Sequence, residues 1–217
     1  MTKTKNITII AMLSAISYVV MFISKALPPL MPAAPYLDYD PKNVVIAISG
    51  FIFGPLSAFI ISAIAALLEM LTISNTGPIG FFMNLLACTA FSCTASFIYK
   101  KLHSAKGAII GLLAGTAMLT IVMVLWNYIL TPLYLGVPRQ EIAKSILPIF
   151  IPFNLFQGAL NTAITLLLYK PIVTALRRSG LIEYNTNNNK SKLNIGVILV
   201  ILAILISCSI FLIIINK

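Results

Sequence analysis

Residues 44–73 read VVIAISGFIFGPLSAFIISAIAALLEMLTI, an apolar stretch with one acid, Glu69, and one pair of helix breakers, Gly54-Pro55. As one helix it crosses a membrane once with length to spare; as two it is a short hairpin. The choice decides the fold, because each crossing reverses the side on which everything downstream lies. Charge settles it. With Lys3 and Lys5 in the cytoplasm, one crossing leaves Lys100, Lys101 and Lys106 outside. Two crossings bring them inside, together with Lys170, Arg177, Arg178, Lys190 and Lys192, in keeping with the excess of Lys and Arg on cytoplasmic loops. The sequence therefore predicts two helices turning at Gly54-Pro55. The first of them is short and must pack against protein rather than lipid.

The rest of the chain has the same character. Of its 217 residues, 59% are hydrophobic and 9% charged, with a mean hydropathy of +1.01; a soluble domain is about a quarter charged. The formal net charge of +10 lies between apolar runs rather than in a soluble patch, so it reads as positive-inside bias and not as a nucleic-acid surface. Spans are predicted at about 7–27, 44–73 (as two), 79–99, 107–130 and 146–169, with a further one at 195–215. The expected architecture is an all-α integral membrane protein. Residues 1–178 form a six-helix domain, 179–194 a polar cytoplasmic linker, and 195–217 an additional C-terminal transmembrane helix ending outside. The N-terminal run is too long for a signal peptide and lacks a small-residue cleavage site, so it reads as a retained first span with a cytoplasmic N-terminus in the cell membrane.

Polar residues inside apolar runs are the candidate functional residues. In IPFNLFQGALNT (151–162), Asn154, Gln157 and Asn161 are three and four apart and share one helical face. Asn84 lies one turn after Gly80, and Asn127 stands between Trp126 and Tyr128. In the predicted topology these amides gather in the outer half of the bundle, under the loops 28–42, 72–80 and 134–144. A cavity lined by Asn84, Asn127, Asn154, Gln157 and aromatic rings suits a flat neutral ligand rich in donors and acceptors. Helix-to-helix hydrogen bonding is the competing role; Asn161, deepest of the set, fits it best. Asp38 and Asp40 flank Tyr39 in YLDYDP and serve either to cap the second helix or to cover a ligand. Glu69, near the outer end of its helix, is expected to reach water in a structural or interfacial role. No phosphate loop, nucleophile–base set, paired intramembrane carboxylates or histidine cluster is present in the sequence. Cys88, Cys93 and Cys208 all fall in apolar runs, against a disulfide framework. The chain reads as a binding subunit of a larger machine, with no catalytic residues, no metal and no cofactor.

The strings YLDYDPKN…ISGFIFGPLSAF, TGPIGFFMN, WNYILTPLY and LPIFIPFNLFQGALNTAITLLLYKP, spread in order over residues 7–178, resemble the riboflavin-binding S component of energy-coupling factor (ECF) vitamin transporters. The resemblance implies a six-helix fold that binds one flavin on its outer side. It also implies a membrane-embedded T component and two cytosolic ATPases, and toppling of the S component to deliver its ligand inward. Asn127 and Asn154 match positions that hydrogen-bond the isoalloxazine ring in the family. Trp126, Tyr39, Asp40, Thr76, Gly77 and Gly80 complete the expected site. In AMLSA, Ala11 and Ala15 match the small-residue motif that docks the T component. Gln157 stands where many relatives have Lys, keeping a donor and gaining an acceptor while losing the charge. Two alternatives keep the fold: an S component for another vitamin or flavin-like precursor, and a membrane assembly subunit whose amides bind no ligand.

Overall fold

The computed structural model of the protein describes residues 3–26, 37–74, 77–181, 198, 201–206 and 208. Among the described residues up to 181, seven α-helices follow one another: α1 (Lys3–Ser24), α2 (Lys42–Phe53), α3 (Pro55–Thr72), α4 (Gly77–Leu102), α5 (Ala105–Leu135), α6 (Arg139–Ser145) and α7 (Ile151–Arg178), with a π-helical turn at Ile146–Phe150 joining the last two.

The reversal at Gly54-Pro55 is real, and one contact proves it. Lys42 Nζ, at the start of α2, lies 2.7 Å from Glu69 Oε2, near the end of α3. A continuous helix would hold those residues about 40 Å apart. Gly54 has φ +93° and ψ 171°, a region open in practice to glycine alone. Its N–H closes α2 on the Gly50 carbonyl at 2.8 Å, and Pro55 opens α3 at a position where its missing N–H removes no helical bond. At 12 residues, α2 is about 18 Å long, too short for a hydrocarbon core of about 30 Å. It is buried along most of its length, from Lys42 to Phe51, against α1, α3, α4 and α7. The expectation that it packs on protein holds.

Around it stand α1, α3, α4, α5 and the α6–α7 run, each long and apolar enough to cross a membrane. The closest pair is α4 and α5. A Cβ on Gly111 would sit 2.6 Å from the Ala95 carbonyl oxygen, and one on Gly115 would sit 2.5 Å from that of Phe91, so only glycine permits this approach. Gly158 of α7 similarly receives Thr116 of α5. Hydroxyls of Ser14, Ser17, Ser49, Ser62, Ser96 and Thr120 donate to carbonyls four residues back, which satisfies them without water. At the end remote from Lys42, Phe51 packs between Tyr99 and Tyr169, whose hydroxyls lie 2.9 Å apart. Large apolar side chains such as Phe22, Leu56, Phe82, Ile121 and Leu133 are exposed around the perimeter, where a membrane protein meets lipid.

Helix ends depart from the sequence reading in two places. Residues 134–144 were expected as a loop, but α5 continues to Leu135 through Pro132, and Arg139–Ser145 forms α6 after a left-handed Gly136. The following run, with Pro148 and then Pro152 lacking N–H donors, winds as a π turn before α7 resumes. Of the span expected at 195–215, residues 201–206 are helical and Ile201 is buried in the core that holds Phe51 and Leu166. Its remainder lies outside the described residues.

Candidate ligand cavity

The ends of α1 and α3, the segment before α2, the starts of α4 and α7 and the latter half of α5 converge on one end of the bundle. They enclose a cavity of about 520 Å³, within the usual range for small-molecule sites. The basic residues Lys100, Lys101, Lys106, Lys170, Arg177 and Arg178 belong to the opposite ends of their helices. A wider and more open depression there runs along α7 between Lys170 and Ser179 and carries no amide.

Part of the cavity lining is made of amides. Asn84 of α4, Asn127 of α5, and Asn154 and Gln157 of α7 all line it, so three helices each contribute amides to one cavity. Two of these amides are held in fixed orientations. Asn127 Nδ2 donates to the Met123 carbonyl at 2.7 Å and its Oδ1 accepts from Thr131 Oγ1 at 2.9 Å. Asn154 Nδ2 donates to the Phe150 carbonyl at 2.7 Å. Each therefore keeps one N–H and spare oxygen lone pairs for a ligand. Apolar and thioether side chains, Ile79, Met83, Ala87, Met123 and Phe153, fill the spaces between. Amide donors and acceptors set among apolar side chains suit the edge of a flat heterocycle.

Another part of the lining is ionic. Lys42 Nζ, fully buried, lies 2.8 Å from Asp40 Oδ2 and 2.7 Å from Glu69 Oε2. Asp40 and Glu69 line the cavity above it. Asp40 Oδ1 also accepts from the Lys42 backbone N–H at 3.3 Å, so Asp40 both caps α2 and faces the ligand space. Burial pushes the Asp40 carboxyl above the usual carboxylate range, and the Lys42 ammonium opposes that rise. Nearer the mouth, Lys25 pairs with Asp38, tying the end of α1 to the segment before α2.

The sequence-predicted residues divide clearly. Asp40, Gly80, Asn84, Asn127, Asn154 and Gln157 come together in the cavity lining. Asn161 does not: its Nδ2 donates to the Asp40 carbonyl at 3.2 Å and its Oδ1 accepts from the Tyr39 hydroxyl at 2.9 Å. It is the clasp that fixes the segment before α2, in line with the structural role favoured for it. Tyr39 is held in that clasp; burial, then the Asp40 charge, raise its pKa, so it remains a neutral donor. Trp126 is half-buried and Tyr128 exposed, neither in the lining; Gly77 begins α4, and Thr76 lies outside the described residues. Glu69 differs from its expectation, being 3% exposed and bound to Lys42 instead of reaching bulk water. Lys42 and Thr131 were not anticipated. A lysine beside a proline at a helix start reads as loop, and a threonine in a helix reads as self-satisfied.

Fold and cavity together define a multi-pass membrane protein with a cavity of small-molecule size at one end of its bundle. The chain belongs to the family of substrate-specific components of ECF transporters, which matches residues 5–169. Among its relatives, riboflavin transporter RibU of Staphylococcus aureus is 36% identical over 184 residues, covering 82% of this chain and 95% of the relative. RibU of Streptococcus thermophilus is 34% identical over 186 residues, 81% and 86% of the two chains. Riboflavin transporter FmnP of Bacillus subtilis is 31% identical over 176 residues, 77% and 91%. A solved structure described as the S component of a bacterial ECF transporter superposes with a TM-score of 0.68 at 36% identity, covering 82% of this chain and all of that one.

Proposed function

We propose that this chain captures riboflavin at the outer face of the cell membrane and releases it inward together with a T component and two cytosolic ATPases. The flavin is cargo, not a resident cofactor, and the chain itself catalyses nothing. The observation that carries the reading is the set of amides Asn84, Asn127, Asn154 and Gln157 in the lining of one cavity of about 520 Å³. The pyrimidine edge of isoalloxazine presents two carbonyls, an N–H and ring nitrogens, which primary amides pair with from either side. Relatives named riboflavin transporters support the same substrate. Orientation follows from charge: the basic helix ends face the cytoplasm, so the N-terminus is cytoplasmic and the cavity opens outward.

The test is a titration of the flavin-depleted, detergent-purified protein, read through flavin absorbance and the quenching of Trp126. Riboflavin should bind one-to-one while thiamine, biotin and folate do not. Asn154→Leu should weaken binding roughly 10- to 100-fold, since a buried polar group of the ligand loses its partner, with the protein still folded. Unchanged affinity in that variant would remove Asn154 from the site. Binding of a different vitamin, with no response to riboflavin, would reassign the substrate and leave the fold intact.

A further inference from the structure

We infer that the C-terminal helix is a strap: it packs on the bundle and steadies the segment before α2, through Tyr39, in the position from which that segment lines the cavity. The helix lies beyond residue 169, where the family match ends, so membership of the family says nothing of its role. Its residues are one-sided. Ile201 and Cys208 are buried and Ile204 and Leu205 half-buried, whereas Leu202, Ala203 and Ile206 are exposed. Positions 201, 204, 205 and 208 recur at the spacing of one helical face, so this helix is seated on protein. Ile201, Ile204 and Leu205 join the core formed by Ala47 and Phe51 of α2 with residues of α4, α5 and α7.

Seven residues of helix carry the chain about 10 Å, from Ile201 in that core to Cys208. There the thiol lies close enough to Tyr39 to act on its hydroxyl electrostatically. Tyr39 is where the segment before α2 is fastened. Its hydroxyl donates to Asn161 Oδ1 at 2.9 Å, and its carbonyl accepts from Ser24 Oγ at 3.4 Å. The neighbouring Asp40 carbonyl accepts from Asn161 Nδ2 at 3.2 Å. The same segment gives Leu37, Asp38 and Asp40 to the cavity lining. Tyr39 is only half-buried, and a neighbour at Cys208 limits the swing of its ring. A segment ordered beforehand costs a ligand less to bind, so the strap raises affinity without touching the ligand. The inference takes its readout from the flavin reading and rests on it.

The experiment is a riboflavin titration of the full chain in a double-mutant cycle. Cys208→Phe adds bulk on the packed face and should weaken riboflavin about three- to tenfold. Leu202→Phe adds bulk on the exposed face and should stay within about twofold of wild type. Tyr39→Phe removes the hydroxyl from Asn161 and should weaken binding about fivefold. In the Tyr39→Phe background, Cys208→Phe should cost no more than about a further twofold, because the clasp it acts through is already open. A helix that serves stability alone predicts otherwise: a lower unfolding midpoint with affinity unchanged, or losses that multiply in the double variant. Either result overturns the inference, as does an equal loss in Cys208→Phe and Leu202→Phe. The pair Ile201→Ala and Leu205→Ala loosens the same face without adding bulk. It takes the place of Cys208→Phe in the cycle, with the same expectations, if that variant does not fold. If riboflavin fails to bind wild type, the flavin reading fails and the inference with it.

Discussion

Thr131 shows how much one hydroxyl settles at the residue scale. An unrestrained asparagine presents its carbonyl or its NH2 to a ligand with nearly equal ease. At Asn127 the choice is made in advance: Met123 takes one N–H and Thr131 occupies the oxygen from below. Thr131→Val keeps the shape and removes the restraint. It should weaken riboflavin binding about five- to tenfold, the worth of one net hydrogen bond, whereas Thr131→Ser should bind almost as wild type. Equilibrium titration of both variants checks this, and equal loss in the two would mean that packing, not the hydroxyl, is what matters. The amides of the cavity lining were legible in the sequence because an amide in an apolar run is anomalous wherever it points. Thr131 and Lys42 were not, since their roles depend on a partner four residues away on the same helix in one case and twenty-seven residues away across a hairpin in the other.

Among the elements, α2 and its turn carry the architecture. Without the reversal at Gly54, Lys42 and Glu69 would not meet, and the ionic part of the lining would not exist. The positive φ at Gly54 makes the turn specific to that residue. Gly54→Ala should destabilise the protein by about 1–3 kcal/mol through backbone strain alone, because nothing lies within 4 Å of the added Cβ. Thermal unfolding in detergent measures it; an unaltered midpoint would show that the turn relaxes at no cost. This turn was readable because Gly-Pro is strong punctuation and the charges downstream left one consistent topology. The segment at 134–144 was misread for a related reason. Gly136 and Pro138 are punctuation too, but there they end α5 and start α6 instead of marking a continuous loop. The π turn after it was equally invisible, since prolines at 148 and 152 signal an interruption of the ladder without saying how the chain resolves it.

On the scale of the whole molecule, the bundle separates binding from assembly. Ligand groups gather at one end, basic residues at the other, and the remaining question is where a membrane partner would attach. We propose the exposed face of α1. Ile9, Leu13, Ser17 and Met21 are buried against the bundle, while Ala11 and Ala15 are exposed alongside Met12, Ile16 and Val19. Among the described residues their small size serves no packing, which supports their proposed role in docking the T component. Small residues four apart on an exposed helical face let a second helix approach to backbone distance. Replacing both with leucine adds bulk only on that outer face, so flavin affinity in the isolated chain should stay within about twofold of wild type. Uptake of riboflavin by cells that also make the T component and ATPases should be lost, with the variant present in the membrane at normal level but no longer co-purifying with the T component. If uptake and co-purification survive both substitutions, the partner attaches to another face of the bundle.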